Sequence, residues 1–226
     1  MYNHVKISSI FDYMQESASI HAESLHFGYE DMKKAELLWV LSRAIIKIDH
    51  YPSAWEEITV ETWPKNINGY FANRDFRFYD ATDKCIGSAT TAWLMLNRTT
   101  FRPVKPELLL NHFQYSDFPP GIDEFPEKLP ESVNKSFVSE ICIGYKDIDI
   151  NLHTNNARYI EYLTDCCSEQ FNQQKQIQSM QINFLYQTRT GDVLKFYINN
   201  DDSGKSCIEA EKEDGIKVFN SMIFWK

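Results

Sequence analysis

Two segments of the chain carry apolar residues at the spacing of one helical face, in which every third or fourth side chain points the same way. The first is formed by Ile7, Phe11, Met14, Ala18, Ala22 and Leu25. The second is formed by Ala157, Ile160, Leu163 and Cys167. The pattern therefore predicts one helix in each half of the chain.

Runs rich in β-branched and aromatic residues predict strands around both helices. In the first half these runs are Val40–Ile48, Ile58–Trp63, Asn73–Tyr79 and Ile86–Leu96. In the second half they are Ser136–Tyr145, before the helix, and Gln178–Tyr186, Asp192–Ile198, Lys205–Glu211 and Ile216–Trp225, after it. A helix isolated among antiparallel strands predicts an α+β class in which each sheet wraps a helix.

A proline-rich stretch separates the halves, since six of the eight prolines lie between Pro103 and Pro130. Proline removes backbone donors, so we interpret residues 107–134 as a linker between a domain at 1–106 and a domain at 135–226. The stretch from His4 to Glu16 also aligns with the stretch from His153 to Asp165. The halves therefore look like two copies of one unit.

Composition narrows the class of protein. The 226 residues are 43% hydrophobic, which suffices for one large core or two small ones. No apolar run reaches the roughly 18 residues of a membrane span, and no signal peptide is visible. The net charge of −9 argues against nucleic acid as a partner. Five cysteines without a CxxC pair suggest reduced thiols, so we expect a soluble, cytoplasmic protein.

The densest polar cluster is the run DIDINLHTNN before the second predicted helix. Its Asp149, Asn151 and His153 alternate, so in an extended segment their side chains would share one face. A hydrolase can use an imidazole to transfer protons, an amide to hold an oxyanion and a carboxylate to orient both. For an isolated pattern, however, helix capping by Thr154 or Asn155 is the commoner explanation.

Longer motifs distinguish between these interpretations. The run YKDIDINLHTNNARYIEYLTD resembles the signature of the acyl-acyl carrier protein thioesterases, a plant and bacterial family of paired hot-dog domains. The runs LLWVLSRAIIKIDHYPSAWEEITVETW, NRDFRFYD and ATTAWLMLNRTTFRPVKP resemble, in order, the strands of that family's first domain. The resemblance implies a tandem double hot-dog fold, each half an antiparallel sheet wrapped around a long helix. It also implies hydrolysis of fatty acyl-acyl carrier protein to free fatty acid, as in fatty acid biosynthesis, without a metal or other cofactor.

The resemblance also implies site residues. The family's catalytic aspartate, asparagine and histidine fall on Asp149, Asn151 and His153. Its later glutamate, on the strand after the helix, falls on Gln187, and a cysteine that often follows it falls on Thr188. Glutamine is not a base but can position a water or bond the thioester oxygen. We therefore expect attack by water, with Asp149 or His153 as the base.

The resemblance also implies an acidic acyl carrier protein as the partner. The cluster of Arg98, Arg102 and Lys105 is either a solvated loop or the patch that docks this carrier. A homodimer is compatible with the sequence. Family members open with a strand before the first helix, so here either the first sheet lacks that strand or the chain start is truncated.

Three other functions stay open at this stage. One is hydrolysis of acyl-coenzyme A, which uses the same chemistry on a different thiol carrier. The second is a hot-dog hydratase, which also uses a histidine and an acid. The third is an acyl-binding protein without catalysis, which the glutamine at position 187 makes conceivable.

Overall fold

A computed structural model describes residues 3–106, 118–168, 170, 174–200 and 204–226. The chain divides into two compact units, Met1–Pro126 and Glu127–Lys226. The division falls inside the segment 107–134 that the prolines mark. Residues 107–117 of that segment lie outside the described part of the chain.

The first unit is an antiparallel sheet with a long helix. Its elements are helices α1 (Ile7–Ser24) and α2 (Tyr29–Lys34) and strands β1 (Leu37–Ile48), β2 (Ile58–Asn68), β3 (Phe71–Asp80), β4 (Cys85–Asn97) and β5 (Pro103–Val104). The sheet order is β2-β3-β4-β1, and β5 pairs with the end of β4. Helix α1 buries the predicted face from Ile7 to Ala18 and contacts β2.

The second unit repeats this arrangement with an additional strand. Its elements are β6 (Ser136–Cys142), a 3-10 turn (Tyr145–Asp147), helix α3 (Asn156–Asp165), β7 (Ile177–Phe184), β8 (Val193–Asn200), β9 (Lys205–Lys212) and β10 (Lys217–Trp225). The sheet order is β7-β10-β9-β8-β6. Ile160 and Leu163 of α3 are fully buried, and Tyr159 packs on Phe219 with ring centroids 5.7 Å apart.

The internal repeat predicted from the sequence is visible in the strand order. The four strands after the long helix are arranged as β2-β3-β4-β1 in the first unit and as β8-β9-β10-β7 in the second. The α+β class with antiparallel sheets is confirmed. Among the described residues before α1 there is a single bridge, between His4 and Ser53, and no strand equivalent to β6. No helix in the described ranges is long and apolar enough to cross a membrane.

Two predicted strands end earlier than their residue types indicated, both next to the polar cluster. Strand β6 was expected to reach Tyr145 but ends at Cys142, because the Asp147 carboxylate accepts the Gly144 N–H at 2.8 Å and closes a turn. Strand β7 was expected to reach Tyr186 but ends at Phe184. Leu185 and Tyr186 both donate their N–H to the same carbonyl of Val218, which breaks the one-to-one pairing of a ladder.

Residues 118–134, the connecting segment, contain no helix or strand but are bonded to the sheets at many points. In the first unit Asp75 accepts the Gly121 N–H at 2.8 Å, and Arg77 donates to the carbonyl of Pro119 at 3.1 Å. In the second unit Glu209 accepts the Ser132 N–H at 2.8 Å. Side chains of the sheets thus take the place of strand pairing, because prolines supply carbonyls but no N–H groups.

Candidate active site

The polar cluster lies on a reversing turn of the second unit, between the 3-10 turn and α3. Ile148 and Thr154 form an isolated antiparallel bridge, and the Asp149 N–H donates to the His153 carbonyl at 2.8 Å. Leu152 takes a left-handed backbone with φ of 62°. The expectation of an extended segment is therefore wrong. The segment must reverse because its ends are tied together, with the Asn155 N–H donating to the Asp147 carbonyl at 2.8 Å.

The turn nevertheless brings the predicted residues together. Asp149 Oδ1 accepts the backbone N–H of Asn151 at 2.8 Å, and its Oδ2 lies 3.4 Å from Asn151 Nδ2. The backbone nitrogen of His153 is 3.5 Å from the same Oδ1. Asp149 is thus the centre of an Asx-type turn. This turn also fixes the backbone positions from which the Asn151 and His153 side chains extend.

Helix α3 begins directly after this turn. Asn155 is its N-cap, since the side-chain oxygen accepts the Ala157 N–H at 2.9 Å. Of the two capping candidates, Asn155 therefore caps and Thr154 does not. The first N–H groups of a helix carry a partial positive charge. The turn thus places the polar cluster beside a helix end that favours negative charge.

His153 is half-buried, and its ring is in contact with Arg189. Arg189 Nη2 lies 3.3 Å from His153 Nε2. The pKa of His153 is lowered from its ordinary value, first by burial and then by the Arg189 guanidinium, while Asp149 acts in the opposite direction. Burial and Arg189 thus favour the uncharged imidazole, which is the form able to accept a proton.

The loop that carries Arg189 is held to the polar turn by buried hydroxyl groups. The Thr154 N–H donates to the Thr188 carbonyl at 2.9 Å, and the two threonine Oγ1 atoms are 2.7 Å apart. Thr188 is fully buried, and its Oγ1 is 2.8 Å from the hydroxyl of Tyr159. Where the family often has a thiol, this chain therefore uses a hydroxyl to join the loop after β7 to the turn before α3.

Gln187 lies in the same loop, beyond the end of β7. It was expected on the strand after the helix, and that expectation is wrong because β7 ends at Phe184. Its side chain is exposed and forms no hydrogen bond with the described part of the chain. The turn thus brings Asp149, Asn151 and His153 together. Gln187 is connected to this turn only through the next residue, Thr188, which bonds to Thr154.

Arg189 is the residue that sequence reasoning missed at this site. The available signal is its position, because it follows Gln187 and Thr188 in a stretch on which the resemblance places site residues. The sequence alone does not show which residue of that stretch meets His153. The pairing of Thr154 with Thr188 decides it.

The predicted docking residues lie in the first unit, around the turn between β4 and β5. Asn97 closes this turn by accepting the backbone N–H groups of Thr99 and Thr100 at 3.1 and 2.9 Å. Arg102 and Lys105 are exposed, whereas Arg98 is half-buried with its guanidinium 6.0 Å from the Tyr29 ring.

Comparison with known proteins assigns the chain. Residues 1–109 match the family model described as acyl-ACP thioesterase N-terminal domain, and residues 130–224 match the model for the acyl-ACP thioesterase C-terminal domain. The chain belongs to the acyl-ACP thioesterase family. Asp149, Asn151 and His153 fall within the part that matches the C-terminal model.

Plant relatives share about a quarter of their aligned residues with this chain. The palmitoyl-acyl carrier protein thioesterase of Cuphea hookeriana is 24% identical over 88% of this chain and 51% of that protein. The oleoyl-acyl carrier protein thioesterase of Coriandrum sativum is 26% identical over 83% of this chain and 56% of that protein. The chain thus spans about half the length of these relatives.

Solved structures confirm the tandem hot-dog fold. An acyl-ACP thioesterase from Bacteroides thetaiotaomicron superposes with a TM-score of 0.90 at 28% identity, covering 99% of this chain and 91% of that one. The 12:0-ACP thioesterase of Umbellularia californica superposes with a TM-score of 0.87 at 20% identity, with coverage of 99% and 91%. At that identity the second comparison speaks for the fold alone.

Proposed function

We propose that this protein hydrolyses the thioester between a fatty acyl chain and the phosphopantetheine arm of an acyl carrier protein. The observation that carries the proposal is the turn that joins Asp149, Asn151 and His153 at the start of α3, within the part of the chain that matches the family's C-terminal model. The activities for which the plant relatives are named support the same substrate class.

In this mechanism His153 is the base. Its uncharged imidazole accepts a proton as water attacks the thioester carbonyl carbon, and the carbonyl oxygen becomes an oxyanion. The oxyanion then collapses, the carbon–sulfur bond breaks, and the imidazolium returns the proton to the departing sulfur. The products are a fatty acid and the free thiol of the carrier.

The other polar groups orient and stabilise. Asn151 Nδ2 is a donor that can face the developing oxyanion, and the N–H groups at the start of α3 add positive potential. Asp149 holds the turn through the Asn151 N–H at 2.8 Å and favours the imidazolium once it forms. Gln187, being an exposed amide, can position the attacking water without acting as a base.

The two halves have different roles in this proposal. The C-terminal domain, residues 135–226, carries the chemistry. The N-terminal domain, residues 1–106, binds substrate and acyl chain, and Arg98, Arg102 and Lys105 dock the acidic carrier. A basic patch of this kind reconciles an acidic partner with a net charge of −9.

The test is a turnover assay across carrier-bound acyl chains of different lengths, with the matching acyl-coenzyme A thioesters measured in parallel. We expect thiol release from the carrier substrates and a lower kcat/KM for the coenzyme A thioesters. Faster turnover of the coenzyme A thioesters would identify an acyl-CoA thioesterase. Hydration of a crotonyl substrate would identify a hydratase, and binding without turnover would identify an acyl-binding protein.

A further inference from the structure

We propose that Arg189 is a positioning residue for this hydrolysis, which holds the His153 imidazole uncharged with its proton on Nδ1. The inference rests on the proposed function and extends it to a residue outside the recognised signature. Arg189 would act through His153 and not on the substrate.

The contact itself defines the tautomer of the imidazole. Arg189 Nη2 lies 3.3 Å from His153 Nε2. A guanidinium can only donate hydrogen bonds, so Nε2 must present its lone pair, and the single proton of a neutral ring is then on Nδ1. A ring protonated on both nitrogens would lose this bond and would place two cations side by side.

The fold itself holds His153 near Arg189, because each of them is adjacent in sequence to one of two hydrogen-bonded threonines. His153 precedes Thr154 and Arg189 follows Thr188, and these threonines are joined by a backbone bond of 2.9 Å and a hydroxyl contact of 2.7 Å. The Arg189 N–H also donates to Asp192 Oδ2 at 2.8 Å. These hydrogen bonds therefore fix the backbone positions from which the His153 and Arg189 side chains extend.

The charges around His153 explain why the arginine prevails. Asp149 faces the ring from its own turn, and Arg189 faces it from the loop after β7. A carboxylate at position 187 would favour the imidazolium, but this chain has the neutral Gln187 there. Burial and Arg189 together lower the pKa of His153 against the opposing effect of Asp149.

An uncharged imidazole suits both proton transfers. The contact of 3.3 Å is long for a hydrogen bond, so a water molecule can take the guanidinium's place at Nε2. Once Nε2 has accepted the water proton, repulsion from Arg189 makes the imidazolium a stronger acid. The proton then passes more readily to the sulfur as the carbon–sulfur bond breaks.

The test combines histidine NMR with the pH dependence of turnover. Wild-type protein, Arg189→Met and Arg189→Lys are labelled with ¹⁵N-histidine, and the His153 signals are identified by their loss in His153→Ala. The control is Lys195→Met, which removes a cation on β8 that lies opposite Glu140 and Glu211 in the sheet.

In the wild-type protein we expect the Nδ1–H tautomer. In Arg189→Met the His153 titration should move to higher pH and the tautomers should mix. The acid limb of kcat/KM should move in the same direction, with several-fold lower rates on the acid side and a smaller change on the plateau. Arg189→Lys should retain part of the titration shift, Lys195→Met should match wild type, and high salt should narrow all differences.

An unchanged His153 titration in Arg189→Met would overturn the proposal, as would a moved titration with an unmoved acid limb. A wild-type protein that shows the Nδ1–H tautomer but hydrolyses no thioester would instead overturn the proposed function, and with it any role of Arg189 in catalysis. The inference is therefore tested by the His153 titration and its link to the acid limb, and the proposed function is tested by turnover in the wild-type protein.

Discussion

At the scale of single residues, the site illustrates the difference between a pattern and a contact. The alternation of Asp149, Asn151 and His153 is visible in the sequence, and the structure brings the three residues into one turn. The reason differs from the expected one, because a closed turn and not an extended strand collects them. Arg189 belongs to no periodic pattern in the sequence, and only its contact of 3.3 Å with His153 Nε2 places it at the site.

Replacing His153 tests the proposed base. We expect His153→Ala to lower turnover by roughly 10²–10⁴-fold, since this is what general acid–base catalysis contributes. The half-buried ring bonds to an exposed arginine, so the fold should survive. The control is His26→Ala, an exposed histidine of the first unit. Near wild-type turnover by the His153 variant would remove this residue from the mechanism.

The role of Gln187 is tested by an ordered series of variants. Gln187→Glu should remain active, with an altered pH profile, because it adds a titratable group. Gln187→Ala should lose roughly 10²–10³-fold if the amide faces the oxyanion, and less if it orients water. Asp149→Asn should be at least as damaging as Gln187→Ala. Full turnover by Gln187→Ala with loss by Asp149→Asn would restrict the site to Asp149, Asn151 and His153.

At the scale of elements, the two long helices and the main strands are predicted well, their ends less so, and the short elements α2 and β5 are not predicted. Helix α1 covers Ile7–Ser24, as the apolar spacing indicates. Strand β6 ends where the Asp147 carboxylate closes a turn, and β7 ends where two N–H groups share the Val218 carbonyl. The pattern of hydrophobic residues indicates neither of these hydrogen bonds. These two ends matter for function, because the loops that follow them carry the candidate site.

The threonine contact between these loops supports a stability prediction. Thr188→Val keeps the side-chain shape but removes the hydroxyl that contacts Thr154 and Tyr159 at 2.7 and 2.8 Å. The variant loses two buried hydrogen bonds, each worth about 0.5–1.5 kcal/mol, while the Thr188 backbone keeps its bonds to both hydroxyl groups, so the free energy of unfolding should fall by about 1–3 kcal/mol. Urea denaturation measures it. The neighbouring Thr190→Val is the control, since Thr190 is exposed, and equal stability of the two variants would contradict the prediction.

At the scale of the whole molecule, the repeat extends to how the connecting segment is held. Asp75 on β3 lies opposite Thr90 of β4, and Glu209 on β9 lies opposite Asn220 of β10. These are equivalent places in the two strand orders, and each carboxylate accepts a backbone N–H of the connecting segment at 2.8 Å. Both are buried and paired with lysine, at 3.5 Å to Lys65 and 3.2 Å to Lys135.

The close approach of the connecting segment makes Gly121 sensitive to substitution. A Cβ atom at this position would lie 2.9 Å from the Phe76 carbonyl oxygen and 3.1 Å from that of Ala89. Gly121→Ala should therefore lower the free energy of unfolding by about 1–3 kcal/mol, as overpacking does. Thermal or urea denaturation against Gly144→Ala is the comparison, because a Cβ there meets nothing closer than 3.6 Å. Wild-type stability of Gly121→Ala would show that the segment can move away.

The docking patch is tested through charge and salt. Reversing Arg102 and Lys105, the two exposed residues of the patch, to glutamate should raise KM for carrier-bound substrate, and the effect should shrink at high salt because exposed charges are screened over about 8–10 Å. A control with Lys84 and Lys128 reversed changes the net charge equally at exposed sites. An unaltered salt dependence of KM in the patch variant would place docking elsewhere.

The sequence by itself determined the α+β class, the repeat, the family and the residues of the polar turn. These depend on local spacing and on motifs that are continuous in the chain. Only the tertiary structure decided that the turn reverses, that Gln187 lies beyond its strand, and that Arg189 meets His153. The first depends on hydrogen bonds within the segment, such as that from Asn155 to Asp147, and the other two depend on hydrogen bonds between residues distant in sequence, such as that from Thr154 to Thr188. Neither kind of pairing leaves a periodic signal in its partners.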